Sequence, residues 1–276
     1  MQRRRFTALA SILAAPALAT LHGTAAAQAP QRVGVLMLHG KNPGTNNGIG
    51  LGSLKAALER EGMLVLYPEM PWSRGRYLDG NWDQAMAEMA THTKTLRSQG
   101  AGQIVVLAQS LGVPAAMSFA ARGGDAQALV LLSPGHVPAQ YYASRQNTSV
   151  RESIDQARAL VAAGKGDTKE RFSDINQGKP LLVVTTARDY LSYFDPAQDA
   201  EMSVTAPRVP ASTPVLTVLG TGDSFHSRAR SYFADKLPAN PKSQYLEVNG
   251  DHISTPAAAS DAVVQWIKTV TAPSRP

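Results

Sequence analysis

The sequence predicts an α/β fold in which a doubly wound, mostly parallel sheet carries helices on both faces. Short apolar runs typical of buried strands alternate with stretches of helical periodicity along the chain. This alternation favours parallel strands joined by right-handed helical crossovers. The chain has 276 residues and no cysteine, so one large hydrophobic core rather than disulfide bonds must stabilise it.

The predicted elements follow one another in a regular order. Predicted strands lie at residues 33–38, 64–67, 104–110, 128–132, 215–219 and 244–248, and predicted helices lie at 54–61, 82–99 and 113–122. A last helix contains Trp266, which Val263 and Ile267 accompany at helical spacing. We therefore expect Trp266 to belong to the core.

The N-terminus has the layout of a removable export signal. Three arginines at positions 3–5 precede an apolar stretch at 8–21, and Ala25-Ala26-Ala27 supplies a small-residue cleavage site. We expect residues 1–27 to be a signal peptide and residues 28–276 to form a single domain in the periplasm or outside the cell. The adjacent arginines before Phe6 also fit a twin-arginine signal, so both export routes stay open. The apolar stretch is too short for a confident membrane span.

The charge balance is mildly basic. The chain has 27 Lys and Arg residues against 21 Asp and Glu residues, and loss of three leader arginines would lower the net charge from +6 to +3. No run of basic residues indicates nucleic-acid binding. The histidines and carboxylates show no spacing typical of zinc or calcium sites, and we expect no metal and no cofactor.

The apolar run at 104–107 leads into Ala108-Gln109-Ser110-Leu111-Gly112. A serine on a sharp strand-to-helix turn needs very small residues two positions away on each side, because its backbone is strained and larger side chains would clash. Such a turn lifts the Ser110 hydroxyl clear of the sheet, where a histidine can accept its proton. Small residues and a serine also mark ordinary turns, so the motif must be weighed with the rest of the chain.

Two later strands end beside groups that can work with such a serine. One run ends in Gly220-Thr221-Gly222-Asp223, and the next is followed by Asn249-Gly250-Asp251-His252. Because ligands bind beyond the carboxyl ends of strands in open sheets of this kind, we expect these groups at one rim. An aspartate beside glycine is also a common turn former, which is the alternative role for Asp223.

The order of serine, acid and histidine at successive strand ends resembles the α/β-hydrolase family, and the resemblance covers residues 32–268. It implies that Ser110 is the nucleophile, His252 the general base and Asp223 the acid that orients His252. Ala108 stands where the family most often has glycine, and alanine is the next smallest residue.

The resemblance also implies an oxyanion hole made of two backbone N–H groups. One belongs to Leu111, the residue after the nucleophile. The other is assigned to Lys41, which follows His39-Gly40 after the first strand.

Other histidines and acids fit these roles less well. His226 follows Asp223 after only three residues, which leaves no room for a strand between acid and base. The family resemblance gives His39 a bracing role in its loop. The remaining rivals are His22 in the leader, His92 in a helical stretch, His136 in a loop without a motif, Asp189 and Asp195 in the insertion, and Asp251 beside the proposed base.

Two segments are candidates for shaping the substrate site. Residues 136–210 are longer than a crossover needs, and in similar hydrolases such an insertion often forms a small cap over the active site. Its alternative is an extra helix and strand packed at the sheet edge. Trp72 and Tyr77, on a loop with interleaved arginines, are candidate substrate-binding residues. Their alternative is to anchor that loop.

We expect a serine hydrolase that cleaves a carboxylic ester of a small molecule through an acyl-enzyme. An amidase or peptidase on the same three residues is the second possibility. The third is an inactive binding module, because a fold alone does not prove an activity. All three catalytic groups are present in order, which weighs against the module.

Overall fold

A computed structural model describes residues 32–41, 51–146, 148–176 and 178–273 of the chain. The predicted signal peptide, residues 1–27, lies outside the described residues.

Six strands of the described residues form one parallel sheet in the spatial order β2-β1-β3-β4-β7-β8. They are β1 (Arg32–Leu38), β2 (Leu64–Leu66), β3 (Ala101–Ser110), β4 (Ala128–Pro134), β7 (Val215–Gly220) and β8 (Gln244–Val248). The chain runs from β1 to β2 on one side and then crosses to β3 on the other. The carboxyl ends of β1 and β3 therefore flank the crevice where ligands bind in such sheets.

Helices cover both faces of the sheet, as the sequence predicts. On one face lie α1 (Leu51–Arg60) and α10 (Ser260–Thr271), and on the other lie α2 (Trp82–Ser98) and α3 (Gly112–Ala121). Side chains of a strand alternate between faces, so Val35 and Met37 pack toward the first pair while Leu36 and Leu38 pack toward the second. Trp266 on α10 is buried, as predicted.

The segment between β4 and β7 builds a cap instead of a simple crossover. It contains α4 (Pro138–Ala143), α5 (Ser149–Ala162), β5 (Lys169–Asn176), β6 (Lys179–Thr186), α6 (Ala187–Phe194) and α7 (Met202–Thr205). Strands β5 and β6 pair antiparallel in a hairpin of their own, separate from the main sheet. The structure therefore favours the cap over a strand added to the sheet edge.

Aromatic side chains join the cap to the main core. The ring of Tyr193 on α6 meets that of Trp82 on α2 edge to face at 5.2 Å, and within the cap Tyr190 stacks on Phe172 at 4.5 Å and on Phe194 at 4.4 Å. These residues are fully buried in the same cluster as Leu36 and Leu38 of β1.

Two short helices, α8 (His226–Tyr232) and α9 (Thr255–Ala258), follow β7 and β8 respectively. None of the helices in the described ranges combines the length and the apolar character that crossing a bilayer requires.

Candidate active site

Ser110 sits on a strained turn between β3 and α3. Its φ of 54° lies in the left-handed region, which is unfavourable for a residue other than glycine and recurs at functional sites. The turn brings Gly112 against the end of β1, where a Cβ atom would lie 3.0 Å from the carbonyl oxygen of His39. Glycine at position 112 is therefore required by the close approach of this turn to the end of β1.

Ser110, His252 and Asp223 form one continuous hydrogen-bonded chain. The Ser110 hydroxyl lies 3.0 Å from Nε2 of His252, and Nδ1 of His252 lies 2.8 Å from Oδ2 of Asp223. The carboxylate accepts a hydrogen bond from Nδ1–H, which leaves the unprotonated Nε2 to accept the proton of the serine hydroxyl. The structure thus brings together the three residues that chain order predicts.

Asp223 is kept ionised although its side chain is inaccessible to solvent. Burial opposes ionisation, but hydrogen bonds from His252 and from the backbone N–H of Phe225, at 2.9 Å, outweigh it and hold the pKa of Asp223 below its ordinary value. A carboxylate in this state holds the imidazole in one tautomer and stabilises its protonated form.

Two contacts fix the loop that carries His252. The side-chain amide of Gln109 donates to the carbonyl oxygen of His252 at 3.0 Å, and the N–H of Gly222 donates to the carbonyl oxygen of Gly250 at 2.9 Å. Sequence reasoning did not assign a role to Gln109, although it precedes the nucleophile directly. Its position directly before Ser110 is the one sequence signal that points to a role near the site.

The rival histidines are engaged elsewhere. In His39, Nδ1–H donates to the carbonyl oxygen of Gly40 at 2.8 Å, and Nε2 accepts from the N–H of Met70 at 3.0 Å. Burial lowers the pKa of His39, so it is a neutral brace of its loop, as the family resemblance implies. Nε2 of His226 lies 3.2 Å from Oε1 of Glu247, and His226 does not belong to the lining of the pocket that contains Ser110.

Leu111 and Lys41, the residues assigned to the oxyanion hole, both line the pocket that contains Ser110. The side chain of Lys41 turns into the cap, where Nζ lies 2.6 Å from Oδ1 of Asp174 and donates to the carbonyl oxygen of Ile175 at 2.8 Å. The hydroxyl of Tyr77 donates to the other oxygen of Asp174. This buried network ties the loop after β1 to the hairpin of the cap.

The proposed role of Trp72 in substrate binding needs correction. Its side chain is fully buried, and its indole N–H donates to the carbonyl oxygen of His39 at 2.8 Å. Trp72 therefore anchors its loop, which was the alternative. Tyr77 is half-buried and is held by Asp174, so its hydroxyl also serves the loop and the cap. The neighbouring Arg76 pairs with Glu88 and Asp79 instead of facing the site.

The pocket above Ser110 has a volume of about 640 Å³, within the usual range for small-molecule sites. Its floor is the triad, and its walls come from the loop after β4, from α4 and from the end of β5. Apolar wall residues include Leu111, Val137, Tyr141, Ile175 and Phe225. Within the described ranges, no group of three or more His, Asp or Glu residues is placed to hold a metal ion.

Solved structures of other proteins share this architecture, whereas comparisons of the sequence alone find no match. The sequence matches no protein-family model and no curated protein. Among solved structures, a monoacylglycerol lipase from Paleococcus ferrophilus is similar with a TM-score of 0.61 and 20% identity, over 88% of this chain and 96% of that one.

Two further structures have comparable similarity. Est1E from Butyrivibrio proteoclasticus, solved with ferulic acid bound, has a TM-score of 0.59 and 16% identity, over 89% of this chain and 92% of that one. A thermostable carboxyl esterase from Bacillus coagulans has a TM-score of 0.59 and 12% identity, over 88% and 91% of the two chains. At these identities the likeness shows a shared fold.

Proposed function

We propose that this chain, which has the α/β-hydrolase fold, is a serine hydrolase that cleaves carboxylic esters through an acyl-enzyme. One observation carries the proposal: the hydrogen-bonded chain from Ser110 through His252 to Asp223 lies at the floor of an open pocket. A serine hydroxyl is a poor nucleophile at neutral pH, and an adjacent base held by an acid is the arrangement that activates it.

Each step of the proposed reaction is assigned to a group of the site. Oγ of Ser110 attacks the ester carbonyl carbon while Nε2 of His252 takes the hydroxyl proton, and Asp223 stabilises the resulting imidazolium. The backbone N–H groups of Leu111 and Lys41 would stabilise the oxyanion, at about 3 kcal/mol per donor. Collapse of the intermediate releases the alcohol with the proton from His252. Water then attacks the acyl-enzyme by the same route.

Esters are favoured over amides by the similar structures, which are described as an esterase and a lipase. Amide hydrolysis on the same triad needs efficient protonation of a leaving amine, which is a poorer leaving group than an alkoxide. A panel of p-nitrophenyl esters of increasing acyl length, measured beside the matching p-nitroanilides, distinguishes the two. Equal turnover of anilides and esters would contradict the preference for esters.

The nucleophile is tested with a fluorophosphonate probe and intact-mass readout. We expect one probe adduct on the native chain and none on the Ser110→Ala variant, because the probe reacts with a serine that a base activates. A folded native protein that stays unlabelled and cleaves no ester would favour an inactive binding module instead.

We also propose that residues 1–27 direct export and are then removed. The N-terminal arginines, the apolar stretch and the small residues at 25–27 support this. Mass spectrometry of protein recovered from the periplasm should show a mature chain that begins at Gln28. Replacing Arg3, Arg4 and Arg5 by lysine keeps the positive charge and removes the arginine pair. Export that persists then indicates the general secretory (Sec) route, and export that stops indicates the twin-arginine route.

A further inference from the structure

An arginine lies at the wall of the substrate pocket and has no role in the mechanism above. Arg228 is on α8, five residues after Asp223, and it lines the same pocket as Ser110 and His252. Its side chain is exposed, so its charge is available to a molecule that enters the pocket.

Three contacts hold the guanidinium of Arg228 in place. Nη1 donates to Oε1 of Gln140 at 2.9 Å, Nη2 donates to the carbonyl oxygen of Ser224 at 3.3 Å, and the group lies over the ring of Phe225 at 5.5 Å. All three partners are uncharged, so they orient the guanidinium without neutralising it. A guanidinium has five N–H donors, and these contacts use only two of them.

The charges around the pocket leave Arg228 uncompensated. The other lining cation, Lys41, is paired with Asp174 at 2.6 Å. The carboxylate among the lining residues is Asp223, which is ionised but has a side chain inaccessible to solvent, and it accepts its hydrogen bond from His252. Every Asp and Glu of the sequence falls within the described ranges, and none of them forms an ion pair with Arg228 there. Arg228 therefore presents an exposed positive charge at the pocket wall, and no carboxylate of the described residues forms an ion pair with it.

Arg230, two residues later on the same helix, shows the contrasting environment. Its Nη1 lies 3.7 Å from Oδ1 of Asp235, and its guanidinium lies over the ring of Tyr245 at 3.8 Å, outside the pocket lining. Arg230 is thus a matched control, because it has the same charge on the same helix without access to the substrate.

We propose that Arg228 selects esters that carry a carboxylate at the end remote from the scissile bond. This inference rests on the proposed function and names its substrate class: an apolar or aromatic body with an anionic terminus. The apolar wall formed by Val137, Tyr141 and Phe225 takes the body. The fixed fork of Arg228 takes the carboxylate, whose geometry it matches in two parallel hydrogen bonds.

The experiment compares charged and neutral esters of the same shape. On the acyl side, the probes are the mono-p-nitrophenyl ester of adipic acid and p-nitrophenyl heptanoate. On the alcohol side, they are the butyryl esters of 4-hydroxybenzoate and 4-hydroxybenzamide. The native chain is measured beside Arg228→Gln, Arg228→Lys and the control Arg230→Gln.

We expect the native chain to prefer the charged member of at least one pair in kcat/KM. Arg228→Gln should lower the charged-to-neutral ratio at least tenfold, mainly through KM, because the contact is made in ground state and transition state alike. Arg228→Lys should retain part of the preference, since it keeps the charge and loses the fork. Arg230→Gln should leave the ratio unchanged, and 1 M salt should reduce it in the native chain.

Equal ratios in the native chain and in Arg228→Gln, for both pairs, would overturn the inference and make Arg228 a structural residue of the cap contact. A binding measurement keeps the two proposals distinguishable. Calorimetry on Ser110→Ala compares 4-(butyrylamino)benzoate with the corresponding benzamide, and tighter binding of the benzoate that Arg228→Gln removes supports the inference without any turnover. If no ester is cleaved and no probe adduct forms, the proposed function fails while this binding result still decides the role of Arg228.

Discussion

Acid should destabilise this protein through one buried histidine in the pocket wall. His136 is almost fully buried, and its Nε2–H donates to the carbonyl oxygen of Tyr193 at 2.7 Å. The other ring nitrogen, Nδ1, is buried and has no hydrogen-bond partner among the described residues. Protonation would place an N–H group there with no acceptor. Burial above all, and then the nearby charge of Lys41, lowers the pKa of His136 to about 3, against the opposing contact with Tyr193.

The sign and size of the effect follow from linkage. Below pH 6.5 the unfolded chain protonates this histidine while the folded chain does not, so the unfolded state binds more protons. The free energy of unfolding therefore decreases as the pH is lowered. The loss is absent above pH 6.5 and grows until the pH reaches the folded pKa of about 3. At pH 5 the gap is about 1.5 units, which corresponds to about 2 kcal/mol of unfolding free energy.

The variant His136→Gln tests this loss, because glutamine can donate to the carbonyl oxygen of Tyr193 but cannot titrate. Urea denaturation gives the free energy of unfolding of both proteins between pH 7.5 and 4. We expect the native chain to lose about 2 kcal/mol more than the variant between pH 7.5 and 5. Tyr193→Phe is the control, since it removes the hydrogen bond to Gly80 without changing an acid-range titration. A constant difference between native chain and His136→Gln at all pH values would refute the reasoning.

Three further substitutions test the site and its support. Asp223→Asn should lower kcat by about 10⁴-fold while the melting temperature stays near the native value, because the wrong imidazole tautomer is held in intact geometry; circular dichroism melts and ester turnover check both. Gly135→Ala would place a Cβ atom 2.7 Å from Oγ of Ser110, and we expect kcat/KM to fall about 10²-fold with the fold retained; near-native turnover would contradict it. Asp174→Ala strands the buried ammonium of Lys41 and should cost about 3–5 kcal/mol in urea titrations, whereas Lys41→Met combined with Asp174→Leu should restore most of that loss. A double variant as unstable as the single one would refute this account.

The sheet and the triad were predictable because they depend on local signals. Strands buried on both faces read as apolar runs, and parallel connectivity places their carboxyl ends at one rim. The order of Ser110, Asp223 and His252 along the chain then assigns one group to each of three strand ends. The turn at Ser110 is encoded by its small neighbours, so it also follows from sequence.

The support of the site was not predictable in the same way. Strand β5 carries few apolar residues and gives no period-2 signal, so neither the hairpin nor Asp174 stands out. The pair between Lys41 and Asp174 joins residues 133 positions apart, and only the folded cap brings them together. The sequence leaves two roles open for Trp72, substrate contact and loop anchor, because an aromatic residue on a loop can face either a pocket or a core and its sequence neighbours do not decide which.

The cap of this protein is a fixed wall of the pocket because its aromatic residues belong to the main core. Phe172, Tyr190, Tyr193 and Phe194 are fully buried and join one cluster with the strand residues. Aromatic side chains bury about 150–250 Å² each, and at about 25 cal/mol per Å² their exposure would cost about 4–6 kcal/mol per residue. A motion that lifted the cap from the main core would expose part of this apolar area to water, which opposes such a motion. Substrates must enter through the existing mouth, and residues that line that mouth, Arg228 among them, are in position to select what enters.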